Sequence, residues 1–302
     1  METENKIKAS LVVLFYNQKD FVKDALQGAL SQTYDNLEII ISDDASPDGT
    51  FEEIKKYLSV HPTDKKVVLN HNEKNMGLVP HLNYLMDNYV HGDVVALAGG
   101  DDISCQNRIC ETVKIFKSDS AVYAVTGQII MIDKHGAEQT VQPTKIPVGS
   151  YCMDDAYIRT FSFMHGGFGL AFRKKVWDTF GELNADCPTE DSTIRFRTLL
   201  LGKGYVAQSV FIKYRVHGNN LSNVNNIFNL KTARIAEQYR SDLKKAEELQ
   251  LIDPKTEKRL RKKIWYYVKE RNLAATKQGL PRLLRAPYKF IQLMLNRKVN
   301  RI

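Results

Sequence analysis

Residues Leu37–Thr50 read LEIIISDDASPDGT. The run Leu37–Ser42 is almost wholly apolar and rich in β-branched side chains, the pattern of a strand buried on both faces. It stops abruptly at Asp43-Asp44, and Ala45-Ser46-Pro47-Asp48-Gly49 then supplies turn and cap formers. Phe51–Leu58 reads as a helix. A strand that ends in carboxylates and feeds a helix is one unit of an α/β fold, and the flanking sequence repeats it. Leu11–Phe15 (LVVLF) predicts a strand, followed by a helix over Asp20–Gln32 with Phe21, Ala25, Leu26, Ala29 and Leu30 on one face. Lys66–Asn70 reads as a strand, Val79–Tyr89 as a helix, and Asp93–Ala98 as a strand closed by Gly99-Gly100-Asp101-Asp102. The alternation implies a Rossmann-like, mostly parallel central sheet covered by helices on both faces. Ligands of such sheets gather at the carboxyl ends of the strands. Three ends carry chemistry here: Phe15-Tyr16-Asn17, Asp43-Asp44 and Asp101-Asp102.

The second half is less regular. Ala121–Ile132 is strand-like, Gln142–Gly149 is a loop, and Phe163–Phe168 (FMHGGF) is glycine-rich. A helix is expected over Glu190–Leu201, then a strand over Val210–Val216 that leads into His217-Gly218-Asn219-Asn220. Three helices are expected beyond, near Ile227–Gln250, Pro254–Ala275 and Pro281–Leu295. Of the 302 residues, 43% are hydrophobic, too many for a disordered chain. No run approaches the ~20 apolar residues that cross a bilayer, and Met1–Ser10 lacks the apolar core of a signal peptide. Cys105, Cys110, Cys152 and Cys187 make no CxxC pair and no zinc spacing, so reduced thiols in the cytoplasm are expected. Net charge is +8 and uneven: Lys255–Ile302 carries 15 Lys/Arg against Glu257 and Glu270, leaving the body at −5. Such a tail suits an anionic surface.

Adjacent carboxylates at a strand end repel unless a cation neutralises them. Asp101-Asp102 therefore suggests a divalent ion with oxygen ligands, Mg²⁺ or Mn²⁺, with a turn or helix N-cap as the alternative. Asp43-Asp44 carries the same two readings. With Tyr16 as a stacking face, the two acidic pairs together describe a site for a nucleoside diphosphate.

Ser10–Asn17 (SLVVLFYN), Leu30–Tyr34 (LSQTY), Leu37–Thr50 and Asn75–Asn83 (NMGLVPHLN) resemble the signature of family 2 glycosyltransferases with the GT-A fold. Ala98–Asp102 (AGGDD), Thr189–Asp191 (TED) and Tyr214–Ser222 (YRVHGNNLS) continue it in order. The resemblance implies a nucleotide-sugar donor, of the UDP-linked class, near Phe15, Tyr16, Asn17, Asp44, Asn83 and Asp101. It implies a divalent metal on Asp102 and His217, and a catalytic base at Asp191 with Glu190 beside it. Arg215 and His165 would meet the diphosphate or the acceptor. Two departures stand out: Gly99 where many relatives carry a carboxylate, and Leu82 where many carry an arginine.

Inverting sugar transfer needs a base for the acceptor hydroxyl and positive charge for the departing diphosphate, which Asp191 and a bound cation would supply. The resemblance thus implies residues 1–225 as a GT-A catalytic domain and 226–302 as a basic helical region. The expected partners are the nucleotide sugar and a glycan or lipid-linked glycan of bacterial surface polysaccharide synthesis, with no nucleic acid. The basic C-terminal helices, in which Trp265, Tyr266 and Tyr267 mix with Lys and Arg, would either dock on the inner face of the membrane or pack on the catalytic domain. The rival class is a binding or scaffolding protein that keeps the fold without turnover.

Overall fold

The computed structural model describes residues 7–139, 147–153, 169–218, 220 and 231–278, with side chains through Lys269. The elements run β1 (Ala9–Phe15), α1 (Val22–Leu30), β2 (Leu37–Asp43), α2 (Thr50–Val60), β3 (Lys66–His71), α3 (Leu78–Asn88), β4 (Val94–Gly99), β5 (Ile103–Ser104), α4 (Arg108–Ser118) and β6 (Val122–Ile132). After these come β7 (Gly149–Tyr151), β8 (Ala171–Arg173), α5 (Lys174–Phe180), α6 (Asp191–Leu201), β9 (Lys203–Arg215), α7 (Thr232–Glu248) and α8 (Pro254–Gln278). The strands join one sheet in the order β3-β2-β1-β4-β8-β6-β9-β5, with β7 paired to β9.

β1 is parallel to both β2 and β4, and β2 is parallel to β3. Every residue of β1, β2 and β4 is buried, as expected of apolar strands with helices on both faces. The short β8 is antiparallel to β4 and to β6, which restores the common direction, and β9 lies parallel to β6. Phe15, Asp43, Gly99, Ile132 and Arg215 therefore all end on one edge. α6 packs beside β6 and β9 and ends where β9 begins. It runs back against the strands, so its first residues face that same edge.

One apolar cluster fills the α1, α2 and α4 side of the sheet, and another the α3, α5 and α6 side. A third joins Phe180, Phe196 and Leu200 to Ile235, Tyr239 and Leu243 of α7 and to Leu260, Ile264 and Tyr267 of α8. The C-terminal helices thus share a core with α5 and α6. Tyr266 and Tyr267 are buried in this packing, whereas Trp265 is 47% exposed. No helix among the described residues is long and apolar enough to cross a membrane.

Candidate active site

At the end of β1 the chain turns through Asn17 at φ +54, and at the end of β2 through Ala45 at φ +56. Both are left-handed, a conformation that asparagine tolerates and alanine resists by about 1 kcal/mol. The two turns brace each other: the Asn17 amide donates to Ser46 Oγ at 2.8 Å, and the Asp44 amide to the Phe15 carbonyl at 3.0 Å. Tyr16 stands 42% exposed at this corner, an aromatic face open to a planar ring.

The two aspartates after β2 point different ways. Asp43 accepts from the Ser46 amide and hydroxyl and faces His71 Nδ1 at 3.0 Å. Asp44 accepts from Asn72 Nδ2 (2.7 Å) and the Met76 amide (2.9 Å) on one oxygen, and from the Gly77 amide (2.9 Å) on the other. Three of its roughly four lone-pair sites are filled. Asp44 therefore shapes the loop before α3 and keeps one acceptor position for a ligand.

The pair after β4 divides similarly. Asp102 is buried and accepts from the Arg215 amide at 2.9 Å. Burial, and then the Asp101 charge, push its carboxyl well above the ordinary range against the pull of Arg215 and Arg108. Asp101 is the outward member, and its Oδ2 meets His217 Nε2 at 2.9 Å, with both side chains 12% exposed. Asp102, expected as the metal-facing carboxylate, thus lies inward against the Arg215 amide, and Asp101, expected at the ribose, lies outward against His217. An oxygen and an imidazole nitrogen side by side are donors that suit Mn²⁺ or Mg²⁺, ions that fill the rest of their shell with water and phosphate. Among the described residues no group of three His, Cys, Asp or Glu side chains gathers.

β1 lies between β2 and β4, so their ends stand about 10 Å apart. That is the reach of a nucleoside diphosphate. A third group lies at the start of α6. Asp191 accepts from the Ser192 amide and pairs with Arg195 at 2.7 Å, its side chain 15% exposed. Glu190 beside it is fully buried; burial first, and Asp191 second, push its carboxyl up to about 8. At neutral pH Glu190 is therefore mostly a neutral acid.

Three further expected site residues are held in contacts within the protein. The Phe15 ring is buried beneath Gly100, where an added Cβ would fall 2.1 Å from Phe15 Cδ1. Phe15 is a core residue, and its ring is the reason that position 100 is glycine. Asn83 donates to the Leu183 carbonyl (2.7 Å) and accepts from the Leu183 amide (3.1 Å), so it ties α3 to the loop after α5. Arg215 is 1% exposed, and its guanidinium is spent on Asp24 and on the carbonyls of Asp101, Asp133 and Lys134. His165 lies outside the described residues.

Reading the sequence missed Arg195, whose i+4 spacing from Asp191 on a helix was a usable signal. It also missed Phe21, which lies 5.0 Å from the His217 ring, and Asp24, which is 191 positions from Arg215 and left no trace in spacing.

The glycosyl transferase family 2 model matches residues 10–180. The glycosyltransferase EpsE of Bacillus subtilis is 31% identical over 129 residues, 43% of this chain and 45% of that protein. A UDP-Glc:α-D-GlcNAc-diphosphoundecaprenol β-1,3-glucosyltransferase, WfaP of Escherichia coli, is 34% identical over 120 residues, 38% of this chain and 45% of that one. Each match thus spans less than half of the relative's length. Crystal structures of S. aureus TarS 1–349, alone and in complex with UDP-GlcNAc, superpose with TM-scores of 0.63 and 0.60 at 12% and 15% identity. They cover 97% and 98% of this chain and 81% and 91% of TarS 1–349. The fold is that of the GT-A glycosyltransferases. With its first three strand ends and the segment through α5 inside the matched region, the chain belongs to glycosyl transferase family 2.

Proposed function

We propose that this protein transfers a single sugar, with inversion, from a UDP-sugar to a glycan or lipid-linked glycan acceptor in bacterial surface polysaccharide synthesis. The observation that carries the reading is the sharing of one sheet edge by three groups. These are the Tyr16–Asp44 corner, the Asp101–His217 pair and the Asp191–Arg195 pair. Family membership, the UDP-GlcNAc complex of TarS and the activity in the name of WfaP support the donor and acceptor classes.

Tyr16 offers a face to the base, and the remaining acceptor position of Asp44 suits a ring N–H or a ribose hydroxyl. Asp101 and His217 would hold a divalent cation, Mn²⁺ or Mg²⁺, which when bound offsets the charge of the leaving diphosphate. Asp191 takes the proton of the acceptor hydroxyl as its oxygen bonds to the anomeric carbon and the bond to the diphosphate oxygen breaks. Arg195 holds the Asp191 carboxylate in place. One displacement needs no second carboxylate as a covalent nucleophile, and a neutral Glu190 is consistent with that.

In this reading residues 1–225 form the catalytic part and 226–302 its basic helical cover. Lys258, Lys262, Trp265 and Lys269 are exposed at helical spacing along α8, with Lys269 Nζ 3.7 Å from the Trp265 ring centroid. This stripe would dock the protein on the anionic inner face of the cell membrane.

The test is UDP release from UDP-sugars in the presence of Mn²⁺, with and without a glycan acceptor. The native chain is expected to release UDP, and Asp191→Asn to bind UDP normally while losing at least 100-fold in transfer. Native transfer by Asp191→Asn would overturn the assignment of the base. A chain that binds UDP-sugars but turns none over would be the non-catalytic rival.

A further inference from the structure

Asp101 and His217 are 116 positions apart in sequence and meet through Nε2 and Oδ2. What brings them to that spacing lies behind them. Arg215, two residues before His217, ends β9 with its side chain buried among three other segments. Its Nε donates to the Asp101 carbonyl at 2.9 Å, so the guanidinium holds the backbone of the very residue whose carboxylate faces His217. One terminal nitrogen donates to the carbonyls of Asp133 (3.2 Å) and Lys134 (3.1 Å), and the other to Asp24 Oδ2 on α1 at 2.7 Å. The guanidinium carbon lies 4.9 Å from the centroid of the Phe21 ring, and Phe21 also packs against the His217 ring at 5.0 Å. The phenyl ring is thus a spacer between the arginine and the imidazole. The Arg215 carbonyl accepts from Asn220 Nδ2 (2.9 Å) while Asn220 Oδ1 accepts from the His217 amide (2.6 Å), which fixes the backbone on either side of His217.

We propose that Arg215, Asp24 and Phe21 form a clasp that sets the separation and orientation of Asp101 and His217, and through them the affinity of the site for a divalent cation. The inference rests on the reading of Asp101 and His217 as the metal-holding pair. It assigns positioning roles to three residues of which two lie on the first helical segment, far from either ligand in sequence. Arginine suits the post because one planar group supplies donors in three directions at once while its face meets an aromatic ring. Lysine could satisfy one of these partners only. Asp24 is 39% exposed, so solvent screens part of the charge it offers the buried guanidinium. Its use is to fix the orientation of the guanidinium.

Partners that orient metal ligands are worth 10- to 100-fold in metal affinity. The experiment is a titration of the full chain with Mn²⁺ in the presence of UDP, followed by loss of the free Mn²⁺ electron paramagnetic resonance signal. Melting temperature is recorded in parallel. Asp24→Asn and Phe21→Leu are each expected to raise the Mn²⁺ dissociation constant tenfold or more, with UDP affinity in EDTA held within twofold of native. Arg215→Lys should do the same or more. Because Arg215 is buried and its variant is at risk of misfolding, the other two variants decide the matter. Native Mn²⁺ affinity in both, whatever happens to the melting temperature, would show a merely structural role and overturn the clasp. His217→Ala separates the two levels of the argument. If it binds Mn²⁺ as the native chain does, the metal-pair reading fails and the clasp falls with it. If it loses Mn²⁺ while Asp24→Asn and Phe21→Leu do not, the clasp alone is wrong.

Discussion

Glu190→Gln is expected to make the protein more stable as pH rises, the reverse of what loss of a native carboxylate usually does. Glu190 precedes the first turn of α6 with its side chain buried, and burial followed by the Asp191 charge raises its proton affinity from an ordinary 4.5 to about 8. Below pH 4.5 the carboxyl is protonated in both folded and unfolded chains, and the variant should match the native protein. Between 4.5 and 8 the unfolded chain gives up a proton that the folded chain keeps, so native stability declines with rising pH. Above 8 the loss is complete. Glutamine never titrates and is spared this loss. At about 1.36 kcal/mol per tenfold change in proton affinity, the interval from 4.5 to 8 sets a ceiling of about 5 kcal/mol. Relaxation around the buried group returns part of this, leaving on the order of 2 kcal/mol at the plateau.

Urea unfolding of both chains at pH 5, 6, 7, 8 and 9 measures the difference directly. Transfer at pH 7 should be retained within about tenfold, because the residue replaced is already neutral there and the proposed base is Asp191. A stability difference that is flat across this range would refute the burial argument, as would a glutamine variant less stable than native at pH 8. Loss of transfer as large as that of Asp191→Asn would refute the division of roles between the two acids.

Glu38 offers the opposite case. Burial works to raise it, but the Lys8 ammonium, the Ser10 hydroxyl, the His91 amide and Lys66 outweigh burial and hold it at about 2. Glu38→Gln should cost about 3 kcal/mol at pH 7, an amount that shrinks to nothing as pH falls from 4.5 through 2, measured by acid-dependent unfolding. Asn83→Ala should cost about 2 kcal/mol by orphaning the buried Leu183 amide and carbonyl. Its UDP affinity, measured by calorimetry, should stay native, whereas a direct nucleotide contact would lower it. Reversing the charge of Lys258, Lys262 and Lys269 together should abolish co-sedimentation with phosphatidylglycerol vesicles while leaving UDP release in solution unchanged. Unchanged vesicle binding would remove the membrane role of α8.

The parallel core was legible because burial on both faces leaves a plain signal. The runs Leu37–Ser42 and Asp93–Ala98 allow little but a central strand, and β2 and β4 lie within one residue of them. Position at a strand end was also legible, which is why Tyr16, Asp44, Asp101 and His217 reach the same edge. Orientation was not. Adjacent aspartates on an extended chain point to opposite sides, and which side holds solvent depends on the partner of each. Asp102 faces the Arg215 amide across 113 positions, a contact that no local pattern records. β8 and β5 escaped notice for a related reason: strands of three and two residues have too few positions to show a period. The start of β9 was hidden by Lys203, Gly204 and Gln208, since its long pairing with β6 carries register shifts that a strict alternation would not predict.

The basic residues were the most misleading, and for a common physical reason. Arg108, Arg197 and Arg215 are among the largest fully buried side chains, and of these only Arg215 was given a role from the sequence, as a diphosphate or acceptor contact. All three end on backbone carbonyls. Arg108 meets the carbonyls of Leu97 and Leu170, Arg197 those of Gly181 and Glu182, and Arg215 those of Asp101, Asp133 and Lys134. Loops that close over a sheet edge must bury carbonyls with no strand or helix partner, and each such group costs on the order of 1–3 kcal/mol if left dry. A guanidinium carries five donors in one plane and can satisfy several at once. Its charge needs a neutralising group, and the structure supplies one in two cases: Asp242 of α7 for Arg197, and Asp24 of α1 for Arg215. The edge that bears the chemistry is therefore fixed from outside the sheet. Through Arg215 the first helix is tied to the Asp101 backbone, and through Arg197 α7 is tied to α6. That arrangement accords with the core that α7 shares with α5 and α6.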